Sequence, residues 1–351
     1  MRSLPSRSGL RLSGAAVAAA TAGAVLLIPF ASAYASPSAV SSPAAPAADD
    51  GTPDESFTIE DPRITESSGL AASRAHPGVY WTHNDSDDGP YIYAVDSRTG
   101  RTVATITLRG IGDPRDVEAI SIGPDGAVYV GDIGDNLGGS WDHVWIYRFP
   151  EPKRLRNATV SATQFTVRYA DGPRDAEAMM VDPGTGRVYI ASKNENGGGL
   201  YEGPARLSSS GTNTFRRIAE VPWVTDGAFS PDGKELLLRS YFSARAYAWR
   251  NGRLGADHPV RAPFQGQAES VTYTADGKAV MFGSEGAESG VVRVDLGKDT
   301  DGDSPSKKGG SASGGGDTGA GAGRPGNATL GAVLLAGLAA LFFGVRRMRK
   351  K

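Results

Sequence analysis

Glu177-Ala178-Met179-Met180-Val181, Asp182-Pro183-Gly184, Val188-Tyr189-Ile190: an acidic residue, an apolar strand, a turn and a second apolar strand follow one another within sixteen residues. The same order recurs along the chain. Other copies open at Ser68-Gly69-Leu70, Glu118-Ala119-Ile120, Thr225-Asp226-Gly227 and Glu269-Ser270-Val271. Their turns include Pro124-Asp125-Gly126, Pro231-Asp232-Gly233 and Ala275-Asp276-Gly277. Asp-Gly between two β-type runs signals a hairpin, because glycine takes the positive φ that the turn demands. Second strands follow as Val79-Tyr80-Trp81, Val128-Tyr129-Val130, Leu236-Leu237-Leu238 and Val280-Met281-Phe282, and third strands include Tyr91–Val95, Val144–Phe149, Tyr247–Trp249 and Val291–Val294. Helical periodicity longer than two turns is absent.

The repeat spans about 43–59 residues, the length of a four-stranded blade. Five such copies predict an all-β fold, a β-propeller of five four-stranded blades closed into a ring. The fifth copy is one strand short, and Phe57-Thr58-Ile59-Glu60, ahead of the first copy, is the candidate to complete it. A seven-strand sandwich is the competing architecture. It leaves the repeated turn position without a reason.

Outside residues 56–296 the composition changes. Residues 1–35 read as a signal peptide: Arg2, Arg7 and Arg11, an apolar run from Ala15 to Phe30, and Ala31-Ser32-Ala33, with cleavage after Ala33 or Ala35. Residues 36–55 and 297–327 are Ala/Pro/Ser-rich and Gly/Ser-rich linkers, too poor in apolar side chains to offset the entropy of ordering. As a flexible coil the second has a mean reach on the order of 30 Å. Residues 328–345 form an uncharged apolar run, at the short end of the roughly 17–25 residues that cross a bilayer as a helix. Arg346, Arg347, Arg349, Lys350 and Lys351 follow, so the positive-inside rule keeps residues 346–351 in the cytoplasm and displays the propeller outside. The expectation is a single-pass protein of the cell membrane.

The chain has 0 Cys, which excludes disulfides and thiolate metal sites. Setting aside the eight basic residues of the two ends leaves 29 basic against 39 acidic side chains, about −10. Nucleic acid is therefore not an expected partner. The expected partners are the membrane, through the C-terminal helix, and an extracellular protein or small ligand.

Ser68-Gly69-Leu70-Ala71, Asp175-Ala176-Glu177-Ala178 and Ser230-Pro231-Asp232-Gly233 resemble the blade motifs of NHL/YVTN-type bacterial propellers. They are similar in particular to the phytase-like (esterase-like) and SdiA-regulated propellers, whose blades open with Ser-Gly-Leu-Ala and Asp-x-Glu-Gly-Ile-Ala. The chain departs from that pattern at Ala119 and Ala178, where glycine is usual. The resemblance implies a propeller fold and, through its phytase-like members, a metal-dependent phosphoesterase or esterase activity.

In a propeller the starts of the innermost strands ring the mouth of a central channel. That places Ser68, Glu118, Glu177, Thr225 and Glu269 together. Three carboxylates facing one another repel unless a cation neutralises them. Loops after the second strands add His83 and Asp85, Asp132 and Asp135, Lys193, Arg239 and Glu285. Oxygen-rich groups of this kind suit Ca²⁺, with Glu118, Glu177 and Glu269 as the expected ligands. The competing reading pairs those carboxylates with Lys193 and Arg239.

No nucleophile stands out. A Gly-x-Ser-x-Gly elbow is missing, Ser304-Pro305-Ser306-Lys307 lies in the linker, and Asp299 to Asp303 lacks the glycine and glutamate of an EF-hand loop. Trp141 is expected to be exposed in a loop and to contact a partner. Two functions remain: a binding or scaffold module, which the missing nucleophile and the anchor favour, and a Ca²⁺-dependent hydrolase using the channel.

Overall fold

The structure is a computed structural model that describes residues 54–297, except 87 and 137. The expected signal segment, most of the first linker, the stalk beyond 297, the membrane span and the basic tail lie outside the described residues. The chain divides into two units, Met1–Val294 and Asp295–Lys351, and the strands described below lie in the first but for the last residue of the final strand, Asp295. Among the described residues no helix is long and apolar enough to cross a membrane.

Twenty-one strands appear among the described residues. They are β1 (Phe57–Thr58), β2 (Ser67–Ala72), β3 (Val79–Asn84), β4 (Tyr91–Asp96), β5 (Thr102–Arg109), β6 (Val117–Ile122) and β7 (Ala127–Asp132). Next come β8 (Val144–Pro150), β9 (Ala158–Ser161), β10 (Thr163–Tyr169), β11 (Ala176–Val181), β12 (Val188–Ser192), β13 (Gly198–Glu202) and β14 (Thr212–Val221). The last are β15 (Asp226–Phe229), β16 (Glu235–Arg239), β17 (Ala244–Arg250), β18 (Arg253–Val260), β19 (Ser270–Tyr273), β20 (Ala279–Gly283) and β21 (Gly290–Asp295).

Antiparallel meanders run β2-β3-β4-β5, β6-β7-β8-β10, β11-β12-β13-β14 and β15-β16-β17-β18. A further sheet has the order β1-β21-β20-β19, with Phe57 opposite Val291, so the N-terminal strand is the outer edge of the last meander. β2 packs on β6, β6 on β11, β11 on β15, β15 on β19 and β19 back on β2. The innermost strands thereby close a ring, which is the arrangement of a β-propeller and not of a two-sheet sandwich. The chain also departs from simple four-strand units. β9 leaves its own meander to pair in parallel with β5, and β10 pairs in parallel with β14. Outer edges that would otherwise offer free N–H and C=O groups are covered in this way.

The turns at the lower end follow from their sequences. Gly126, Gly233 and Gly277 have φ of 67°, 69° and 70°, each closing a turn by donating to the carbonyl three residues earlier. In the meander quoted first the positive φ falls on Gly186, not on Gly184, because that turn is longer. Neighbouring sheets meet through apolar layers. Trp81, Ile106, Val130 and Phe149 fill one, Met179, Ile190 and Phe215 the next, and Leu236 and Trp249 another. Each such side chain contributes about 1.5–3 kcal/mol on burial.

Candidate functional site

The upper end of the channel lies where β2, β6, β11, β15 and β19 begin, and two register shifts shape it. Val117 opposes Asp132 and Ala119 opposes Gly131, which leaves Glu118 without an opposite residue. Ala176 opposes Ser192 and Ala178 opposes Ala191, which does the same for Glu177. A bulge turns its extra residue out of the ladder, so both carboxylates are set apart from their strands at the same level. In β2 the shift lies between Ser67 and Leu70 and puts Ser68 and Gly69 against His83. β15 and β19 pair without a break, and Thr225 and Glu269 sit just ahead of them.

The carboxylates then divide by partner. Glu177, buried, accepts from the largely buried Lys193 Nζ at 2.5 Å. Glu269 lies near the Tyr241 hydroxyl, which favours its ionised form, while its Oε2 has no partner among the described residues. Arg239, fully buried, donates through Nη1 to the carbonyls of Ser270 and Gly283 at 2.5 Å and through Nη2 to Gln265 Oε1 at 2.8 Å. It therefore serves the backbone of the last meander and pairs with none of the expected carboxylates. Burial lowers its pKa to about 10.

Glu118 has different neighbours. Ligand atoms of Asp85, Asp116 and Glu118 lie within 4.8 Å of one another, and all three residues are buried. A cation held at about 2.3–2.6 Å spans such a gap. Gly134 closes over the cluster: a Cβ there would fall 2.7 Å from Asp116 Oδ2 and 2.9 Å from Glu118 Cγ. Only glycine leaves the two carboxylates that close to the backbone. Three convergent carboxylates under a glycine cover fit a hard divalent cation. The set shares Glu118 with the trio expected from sequence, adds Asp85 and Asp116, and leaves Glu177 to Lys193.

Low dielectric and surplus negative charge raise proton affinity for the carboxylates. Burial first, then Asp85, Glu177 and Asp116, push Glu118 well above the carboxylate range. Burial also raises Glu177, against the opposing charge of Lys193, and raises Glu269. Burial disfavours the Lys193 ammonium, but Glu177 and the other groups around it outweigh that and raise its pKa.

The remaining expected residues take structural roles. Asp132 accepts from the Tyr147 hydroxyl at 2.6 Å and from the backbone of Arg115 and Asp116, so it fixes the segment that carries Asp116. Asp135 accepts from Trp141 N and Ser140 Oγ and closes its own loop. Glu285 accepts from Gln267 Nε2 at 3.0 Å. Ser68 is buried. His83 is not in a loop but inside β3; its Nδ1 meets Asn84 O, and burial lowers its pKa to about 4, so it is neutral at pH 7. Trp141 corrects the expectation of an exposed contact: the Arg115 guanidinium lies 4.0 Å from its ring and 3.8 Å from that of Trp145, and it is half-buried. The most exposed aromatics among the described residues are Phe242, 70 % accessible, and Phe264, 82 % accessible, both in loops of the upper face. Nothing in their local pattern distinguishes them from core phenylalanines. Asp116 did have a signal, since Asp116-Val117-Glu118 repeats the spacing of Asp175-Ala176-Glu177.

No family model matches the chain, and no curated protein matches it. Among solved structures, the PQQ-bound form of an aldose sugar dehydrogenase from Streptomyces coelicolor is similar over 69 % of this chain and 99 % of that one, at 10 % identity and a TM-score of 0.40. A likeness of that extent carries no argument about cofactor or substrate.

Proposed function

We propose that the chain is an exported binding module of the cell surface: a five-bladed propeller closed by β1, anchored by a C-terminal membrane helix, that engages an extracellular partner through its upper face. The observation that supports this reading is that one face carries both a buried acidic cluster and, in other loops, the exposed Phe242 and Phe264. Large aromatic side chains left in water are characteristic of surfaces that are covered in use. Ca²⁺ held by Asp85, Asp116 and Glu118 would neutralise the cluster and stiffen the loops that carry it.

The alternative, a Ca²⁺-dependent hydrolase, is weaker. A phosphoryl substrate needs free cations beside the metal, yet Lys193 is committed to Glu177 and Arg239 to backbone carbonyls. His83, neutral and walled in by Gly69, has no path to a substrate as a base.

A calorimetric titration of the purified chain with Ca²⁺ tests the reading. Saturable binding that disappears in Glu118→Gln is expected; heats that the substitution leaves unchanged would remove the cation from the account. Turnover in a phosphatase and esterase panel would favour the hydrolase.

A further inference from the structure

The lower end of the channel is built from different residues. A cavity of about 340 Å³ opens there, walled by all five innermost strands, with Leu70, Ile122, Val181, Phe229 and Tyr273 among its lining. Small residues, Ala72, Gly227 and Ala228, are part of its wall. The volume lies within the range of about 300–1,000 Å³ typical of small-molecule sites, at its lower end.

The wall is mixed in chemistry. Ser121 Oγ accepts from Val181 N at 3.2 Å, and Thr272 Oγ1 donates to Tyr273 O at 3.3 Å. Thr274 Oγ1 is held by Asp276 at 2.7 Å. Each innermost strand ends its sheet, so apolar side chains alternate along the channel with polar groups of strand edges.

One charge faces this space. Arg74 is the only ionisable cation or acid that lines the cavity, and it makes no hydrogen bond or ion pair with any described residue. The acids nearby have partners of their own. Glu151 takes Ser73 Oγ, Ala75 N and Trp81 Nε1, Asp232 takes Lys234, and Asp276 takes Lys278. Arg74 is thus a guanidinium at the rim of the cavity with no counter-ion supplied by the described residues.

We propose that this cavity binds a small organic anion: its body in the channel, among Leu70, Ile122 and Phe229, and a carboxylate at the rim, against Arg74. A guanidinium pairs with a carboxylate through two parallel N–H donors, which fixes the orientation of the head group. The site is separate from the acidic mouth and does not rest on the cation reading.

The test uses the full chain in lipid nanodiscs, empty nanodiscs as reference, and 4-phenylbutyrate and its uncharged amide as probes, read by saturation-transfer NMR. The acid is expected to bind at millimolar concentration, and about fivefold more tightly than the amide, the upper end of what a partly exposed ion pair supplies. Arg74→Ala is expected to erase that preference and Arg74→Lys to keep part of it. Ala275→Trp, in an exposed turn at the rim and so of little risk to folding, is expected to block both probes. No transfer to either probe, equal binding of acid and amide, or binding indifferent to Ala275→Trp would each overturn the proposal. Glu118→Gln is expected to change none of these results, which separates this site from the acidic mouth.

Discussion

The two ends of one channel are lined by the same five strands and have opposite chemistry. At the upper end, bulges in β6 and β11 set Glu118 and Glu177 apart from their ladders, and Asp85, Asp116 and Glu269 join them in low dielectric. At the lower end the ladders of β6 and β11 run unbroken, and the lining has no acid and one cation, Arg74, among apolar and hydroxyl side chains. A propeller channel is therefore not uniformly polar. One extra residue in a strand is enough to change what its end of the channel presents, because it redirects a side chain without moving the strand.

The comparison breaks most sharply at Arg239, the buried cation of the upper end. Arg239→Ala would leave the carbonyls of Ser270 and Gly283 and the Gln265 amide without a donor. The expected loss is about 3–5 kcal/mol, with a fall in melting temperature on the order of 10 °C by calorimetry. Arg74→Ala at the lower end is expected to leave the melting temperature where it was. Equal effects at the two ends would mean that Arg239 does not hold the last meander in place.

Next in size is a difference of sign within the upper end. Glu177→Gln strips Lys193 of its ion pair and is expected to lose about 2–4 kcal/mol in any buffer. Glu118→Gln removes one charge from a crowded cluster and is expected to add about 1 kcal/mol in metal-free buffer while abolishing the response to Ca²⁺. Thermal melts with and without chelator measure both. Two losses of similar size would show that Glu118 is paired like Glu177 and that the division between them is wrong.

The smallest effect is the pH dependence. Glu118, Glu177 and Glu269 have folded-state pKa values above the ordinary 4.5, so the folded state holds their protons longer than the unfolded one. Their contribution is complete below pH 4.5 and is lost as pH rises through the folded values. His83 runs the other way: its pKa falls from 6.5 to about 4, so its contribution is present above pH 6.5 and is lost as pH falls toward 4. Metal-free melts are thus expected to lose stability on the alkaline side through the mouth carboxylates. Ca²⁺ is expected to flatten that limb, since a ligand of the folded, ionised state competes with protons. An alkaline limb that neither Ca²⁺ nor Glu118→Gln alters would place the titrating groups elsewhere.

Part of this site is legible in the amino-acid sequence. The repeated Glu-Ala step marks Glu118 and Glu177, and the spacing Asp-x-Glu holds Asp116 in plain view beside Glu118. Tyr241 is not legible as the neighbour of Glu269, because the two lie on successive meanders, whereas Tyr147 reaches Asp132 across the β7–β8 pair, whose register fixes the contact. Arg239 is expected from its position to meet carboxylates and instead meets carbonyls. Its side chain lies against Phe282, with the ring centroid 5.1 Å away, and backbone oxygens are what that position offers.

From sequence alone come the all-β character, most of the strands and their turns. Those follow from local rules: apolar alternation, and glycine at positive φ after Asp125, Asp232 and Asp276. The tertiary structure alone decided which carboxylate has a cation, which has a phenol and which crowd together. Desolvation and Coulomb attraction act through space and strengthen as water is excluded, so the state of each acid depends on neighbours that only ring closure brings within a few ångströms.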